Sequence, residues 1–154
     1  MVKKKIEAPE QIYLSSDCIS KASTYVETHG SLYSTKFLNS LKFAGIPNHE
    51  LCLKLGCVIM LMRNISQANW LCNGTRLIIT QIQSNILEAM IISGSSIGDK
   101  VYIPRITMSM QDAKWPFIMC RKQFPIKLSY AMTINKSQGQ TLDLVGLFLP
   151  RPIF

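Results

Sequence analysis

Thr133, Lys136, Ser137 and Gly139 lie close together in residues 129–143, SYAMTINKSQGQTLD, the part of this sequence best equipped to meet a phosphate. Thr133 can cap a short turn, which leaves backbone N–H groups and the Thr133 and Ser137 hydroxyls to reach phosphate oxygens. Lys136 adds a compact positive charge beside them. Gly139 permits close backbone approach or a positive φ that a side chain would resist. The same residues also describe an ordinary strand, turn and strand with a solvated lysine. A chain that handles nucleotide phosphates by itself needs a glycine-rich loop ending in Gly-Lys-Ser/Thr. The nearest approach, GSSIGDK at residues 94–100, has the wrong spacing, and Val101 follows its lysine. It lies between two strand candidates and reads as a hairpin loop.

The other reactive residue types exclude more than they suggest. Nine Asp and Glu residues are scattered, the closest pair being Glu7 and Glu10, so no adjacent acids could hold Mg2+ and orient water. The two histidines, His29 and His49, stand beside no plausible nucleophile in the sequence. No catalytic residues are therefore expected in this chain. Five cysteines, an odd number with no Cys-x-x-Cys, argue against a disulfide framework and for free thiols in a reducing compartment. His49, Cys52 and Cys57 lack a fourth ligand in regular spacing, so they read as core residues and no metal site is expected.

Charge points to a partner. The net charge is +8 with a pI near 9.4, which favours a polyanion, either nucleic acid or an acidic membrane surface. Residues 100–136 carry Lys100, Arg105, Lys114, Arg121, Lys122, Lys127 and Lys136 against Asp112 alone, hence +6 of that total. Trp115, Phe117, Phe124 and Tyr130 are interleaved with these cations, a pattern suited to single-stranded nucleic acid, although Phe124 and Tyr130 fit a core better.

These residues need elements to position them. A strand is expected around Ile12–Leu14, and a short helix capped by Ser34 or Thr35 that carries Phe37, Leu38 and Leu41 on one side. Short apolar runs follow, separated by Asn73-Gly74 and by residues 83–85, with clear alternation over 75–82, where Leu77 and Ile79 oppose Ile78 and Thr80. Such runs predict a small β-barrel. QDAKWPFIMCRKQFP reads as a basic, aromatic loop broken by Pro116 and Pro125. Residues 126–132 and 142–149 read as strands buried on both faces, which need covering helices that this chain does not supply. No apolar run approaches the ~20 residues that span a bilayer, and the basic start MVKKK lacks a signal-peptide core. No membrane partner is expected.

KSQGQTLD after an apolar strand resembles motif V of the Pif family of helicases, especially those of Helitron transposons and their plant relatives. FLNSLKFAGIPNHELCLKLGCVIMLMRN, LCNGTRLIIT, VYIPRITM and QFPIKLSYAMTINKSQGQTLD resemble one collinear stretch of that family, over about residues 11–154. The resemblance implies an α+β, strand-rich fold: a small SH3-like barrel, called 2B, inserted in an incomplete RecA-like α/β motor domain. The barrel would occupy residues 51–106, with parts of the second motor domain at 1–50 and 107–154. It further implies that Thr133, Asn135, Lys136, Ser137, Gln138 and Lys127 face single-stranded DNA, while Gly139 and Gln140 lie toward the ATP γ-phosphate. Many relatives have His where this chain has Asn135. The parent would be an ATP-dependent 5′–3′ DNA helicase of repair, recombination or transposon replication. It would use ATP and Mg2+, neither of which is expected to bind tightly to this chain alone. The first motor domain, with its phosphate loop, and the arginine of motif VI would be supplied by that parent. The expected location is intracellular, in the nucleus. The alternative is a remnant that binds single-stranded DNA or protein and has no helicase activity of its own.

Overall fold

The computed structural model describes residues 6–20, 33–131 and 146. Two short strands open it, β1 (Gln11–Leu14) and β2 (Ser16–Ile19), where the sequence suggested one. Helix α1 (Thr35–Ser40) follows. Ser34 caps it, its hydroxyl accepting from the Phe37 N–H at 3.2 Å, so one of the four orphan donors of the first turn is satisfied. The helix buries Leu38 and stops short of Gly45, with Leu41 already extended.

Then come β3 (Glu50–Leu53), β4 (Val58–Leu61), β5 (Arg76–Ile82), β6 (Ile86–Ile91) and β7 (Lys100–Pro104). The alternation in β5 is realised as expected: Leu77 and Ile79 are fully buried, Ile78 and Thr80 only partly. GSSIGDK is the β6–β7 hairpin loop. Gly98 has φ +97° and donates to the Ile91 carbonyl at 3.0 Å, a conformation that L side chains resist. The phosphate-loop reading of that segment has no structural support.

The chain next forms β8 (Ile106–Gln111), β9 (Ile118–Gln123) and β10 (Ile126–Leu128). Here the expectation of a basic loop is wrong. β9 is the middle strand of a three-stranded sheet, between β2 and β8. The expected strand from residue 126 ends at Leu128, and its continuation from residue 132 lies outside the described residues, as do residues 142–145 and 147–149 of the second expected strand.

All the pairings are antiparallel, and they close on themselves. One sheet runs β10-β4-β5-β6-β7. β7 continues through Arg105 into β8, β8 pairs with β9, and β9 passes Phe124 and Pro125 into β10, which pairs with β4. Two long, bent strands thus complete a five-stranded barrel, and closure removes the free edges that an open sheet presents. The bend at Pro125 falls where the chain has no N–H to give to a ladder. Its carbonyl instead accepts from Met62 at 2.8 Å. The circuit takes in strands as far as Leu128, past Ile106.

Inside lie Leu53, Ile59, Leu61, Leu77, Leu87, Ile103 and Phe124 among others. The β1–β3 ribbon packs on this core through Tyr13, Leu51 and Leu53. Tyr13 meets the Phe124 ring edge-on at 5.2 Å and donates to the Gln83 carbonyl at 2.7 Å. A second cluster, Leu38, Phe117 and Met119 with Tyr33, Phe37 and Trp115, packs α1 onto β9 and the loop before it.

Candidate functional site

The most constrained polar group in the described chain is on β9. Met119, Arg121 and Gln123 face inward, and Arg121 is 1% exposed. Its ladder partner is Asp17 on β2. The two form a fork, Nε to Oδ1 at 2.9 Å and Nη2 to Oδ2 at 2.7 Å. The guanidinium also donates to the carbonyls of Pro47 at 3.1 Å, Leu38 at 3.2 Å and Leu41 at 3.3 Å. One side chain therefore fastens β2, β9, the last carbonyls of α1 and the segment before β3.

Ser15 and His49 join this cluster, which spacing in the sequence did not suggest. Ser15 Oγ donates to Asp17 Oδ1 at 2.7 Å and lies 2.8 Å from His49 Nδ1. The grouping is not a nucleophilic triad. The single hydroxyl proton goes to a carboxylate that Arg121 already neutralises, so His49 Nδ1 must donate to Ser15 Oγ rather than accept from it.

The basic window is used in the same structural way. Arg105 spreads over the rings of Tyr13 and Phe124, at 5.3 and 5.2 Å, and donates to the Leu14 carbonyl at 3.1 Å. Lys100 pairs with Glu88 at 3.1 Å. Phe124 is in the core, as its sequence context suggested. Phe117 is 2% exposed and packs at a tilt against Tyr33, ring centroids 4.7 Å apart, while Trp115 meets Phe37 edge-on. Phe117 and Phe124 cannot stack on bases. Among the described residues, the exposed rings are Trp70 and Tyr102, 58% and 59% exposed, lining one groove of about 640 Å³ with Lys100. Trp70 has φ +58°, uncommon for a bulky residue, and is held by its N–H to Gln67 and its carbonyl to the Thr75 hydroxyl. A lone tryptophan in the polar segment SQANW was the available signal.

Of the residues expected to face DNA or nucleotide, Thr133, Asn135, Lys136, Ser137, Gln138, Gly139 and Gln140 lie outside the described residues. The start of their stretch is inside. Ser129 is pinned by its N–H to the Val58 carbonyl at 2.9 Å and by Arg76 Nη2 to its own carbonyl at 3.2 Å. The Tyr130 hydroxyl donates to Cys57 Sγ at 2.7 Å. Burial, then the Cys57 thiol, raises the Tyr130 phenol well above its ordinary range, so it stays protonated and keeps that bond. Lys127, on β10 opposite Met60, lies on the rim of a groove of about 490 Å³ with Ile46, Pro47 and Met62. Among the described residues no group of three His, Cys, Asp or Glu could hold a metal, and the covered carboxylates of Asp17 and Glu88 are taken by cations. These residues do not fit an ATP–Mg2+ group. Among the described residues no helix is long and apolar enough to cross a membrane.

Among the described residues, the buried charged side chains Asp17, Glu88 and Arg121 are paired within the architecture of a closed five-stranded barrel and the elements packed on it. Residues 36–82 match the family model described as DNA helicase Pif1, 2B domain. The ATP-dependent DNA helicase Pif1 of Bdellovibrio bacteriovorus is 36% identical over 115 residues, covering 73% of this chain and 25% of that protein. Human ATP-dependent DNA helicase PIF1 is 32% identical over 102 residues, 64% of this chain and 15% of that one. The fold is similar to the crystal structure of Pif1 helicase from Candida albicans, with TM-score 0.59, 21% identity, and coverage of 90% of this chain and 33% of that chain. It is also similar to Bacteroides Pif1 bound to ssDNA, with TM-score 0.58, 20% identity, and coverage of 92% and 29%. The chain belongs to the Pif1 family of DNA helicases. It spans a quarter or less of the length of the curated relatives that it matches.

Proposed function

We propose that this chain works within an ATP-dependent DNA helicase as the 2B barrel and the motif V segment, holding single-stranded DNA beside a motor that moves 5′ to 3′. The observation that carries this reading is the anchoring of Ser129 and Tyr130 on a closed barrel of a family whose model describes a 2B domain. A rigid barrel offers a fixed base to the stretch that follows. Thr133, Asn135, Lys136, Ser137, Gln138 and Lys127 would take the DNA backbone, as in the resemblance. Gly139 and Gln140 would lie toward a nucleotide held, with Mg2+, by the parent motor. A Bacteroides relative solved with ssDNA agrees with the choice of partner. Helitron replication, repair or recombination, in the nucleus, is the setting that the resemblance favours.

Fluorescence anisotropy with a labelled oligothymidine, titrated at several salt concentrations, tests the proposal. The chain is expected to bind weakly, and Lys136→Ala to flatten the salt slope by about 0.7, one lost phosphate contact on a single strand. The same slope and affinity in the variant would remove Lys136 from the DNA path.

A further inference from the structure

Cys18 on β2 and Cys120 on β9 are direct partners across the antiparallel ladder. Two rungs along, Ser20 donates to the Ile118 carbonyl at 2.8 Å, so the cysteine rung is also of the hydrogen-bonded kind. In such rungs the Cα atoms stand about 5.5 Å apart, within the commonest disulfide range of about 5.5–6 Å. Burial first, then the neighbouring Cys120 thiol, raises the Cys18 thiol above its ordinary value, so its thiolate forms at the alkaline end of the physiological range. They lie on the sheet face opposite Met119 and Arg121, Cys18 exposed and Cys120 partly so, within reach of a small oxidant. Among the described strand pairings no other two cysteines share a rung: Cys52 opposes Ile12, and Cys57 is buried at the barrel wall.

We propose that Cys18 and Cys120 form a reversible disulfide, a redox-responsive clamp between β2 and β9. With glutathione disulfide as oxidant, the thiolate of Cys18 attacks one of its sulfurs, giving a mixed disulfide and one glutathione thiolate. The Cys120 thiolate then attacks Cys18 Sγ and displaces the second glutathione. Two protein thiols become one S–S bond, and the oxidant becomes two glutathione thiols that take up the two protons. Cβ atoms in a hydrogen-bonded rung stand farther apart than the ~3.8 Å that a relaxed disulfide prefers, so closure draws the strands together and the bond reduces readily. Reversibility suits a switch rather than a permanent staple. The rung adjoins Asp17↔Arg121, so the clamp would fasten the ladder beside the ion pair that holds α1.

The full chain, equilibrated in graded glutathione redox buffers and then alkylated, is read by peptide mass spectrometry and by thermal unfolding. One intramolecular cross-link joining the Cys18 and Cys120 peptides is expected. The oxidised chain should melt several degrees above the reduced one, a difference that vanishes in Cys18→Ser and in Cys120→Ser. Cys18 is exposed, so Cys18→Ser should melt with the reduced wild-type chain, confirming that the variant folds. A glutathione adduct on Cys18 without cross-linking, a dimer linked through Cys18, or a bond between any other pair overturns the proposal.

Discussion

A guanidinium that is 1% exposed persists in an apolar interior only when its donors are met, and Arg121 meets them with five contacts on Asp17, Pro47, Leu38 and Leu41. A buried pair of this kind adds little over apolar residues of the same shape, because desolvation offsets the attraction. Removing one partner is another matter. Arg121→Met strands the Asp17 carboxylate in a dry site and is expected to cost about 3–5 kcal/mol in urea unfolding. Arg121→Met with Asp17→Leu should regain most of that loss. If the two single losses simply add in the double variant, the residues do not act as a pair. The same geometry limits what the sequence charge can do. Arg121, Arg105 and Lys100 count toward +8 but are occupied inside the fold or at its surface by Asp17, aromatic rings and Glu88. A salt slope for DNA binding should therefore track far fewer contacts than the formal charge suggests.

Between elements, Glu88 plays on the barrel wall the part that Asp17 plays at the helix. Its carboxylate accepts from Thr80 of β5 at 2.8 Å, pairs with Lys100 of β7 at 3.1 Å and takes the Tyr102 hydroxyl at 3.4 Å, so one side chain on β6 ties three strands. The Thr80 hydrogen bond first, then that from Lys100, lowers its pKa below the ordinary value. A lowered folded pKa stabilises above the unfolded value, about 4.3 for Glu, and the gain is lost as pH falls through the folded pKa. Thermal unfolding from pH 6 down to pH 3 should thus decline more steeply for the natural chain than for Glu88→Gln; parallel curves would show that the carboxylate charge contributes nothing. Strands such as β5 were legible because Leu77 and Ile79 alternate with partly exposed neighbours, and α1 because Ser34 precedes an apolar face. β9 was not. Its inward positions include Arg121 and Gln123, whose partners Asp17, Tyr13 and His49 lie 74 to 110 residues away, so local patterning reads a buried face as a polar loop. The candidate site was read only as a motif, and its residues from 133 to 140 lie outside the described ones; that Arg76, Val58 and Cys57 anchor Ser129 and Tyr130 at the start of the stretch depends on contacts across 53 to 73 positions.

For the molecule as a whole, the decisive feature is that two strands each serve two sheets. β7–β8 and β9–β10 bend at Arg105 and at Phe124–Pro125, and without those bends the five-stranded sheet would be open at β7 and β10. The bend residues are also packed: Phe124 is fully buried, with Arg105 over its ring and Tyr13 against its edge. Disrupting the circuit at one bend therefore exposes core on both sides of it, and residues from Val58 to Leu128 should open as one cooperative unit. Native-state hydrogen exchange is the measurement. Slow amides in β4, β5 and β6 should share a common opening free energy with those in β8 and β9, whereas an independent barrel ending near Ile106 would leave β8 and β9 exchanging far faster. The β1–β3 ribbon should exchange faster than that common unit, because the buried side chains that tie it to the barrel core are Tyr13, Leu51 and Leu53. Equal protection across the bends would mean that the anchor under Ser129 and Tyr130 is as stable as the barrel itself. The role proposed for this chain needs such a base, since a yielding one would absorb the displacement that a segment coupling DNA to a motor has to transmit.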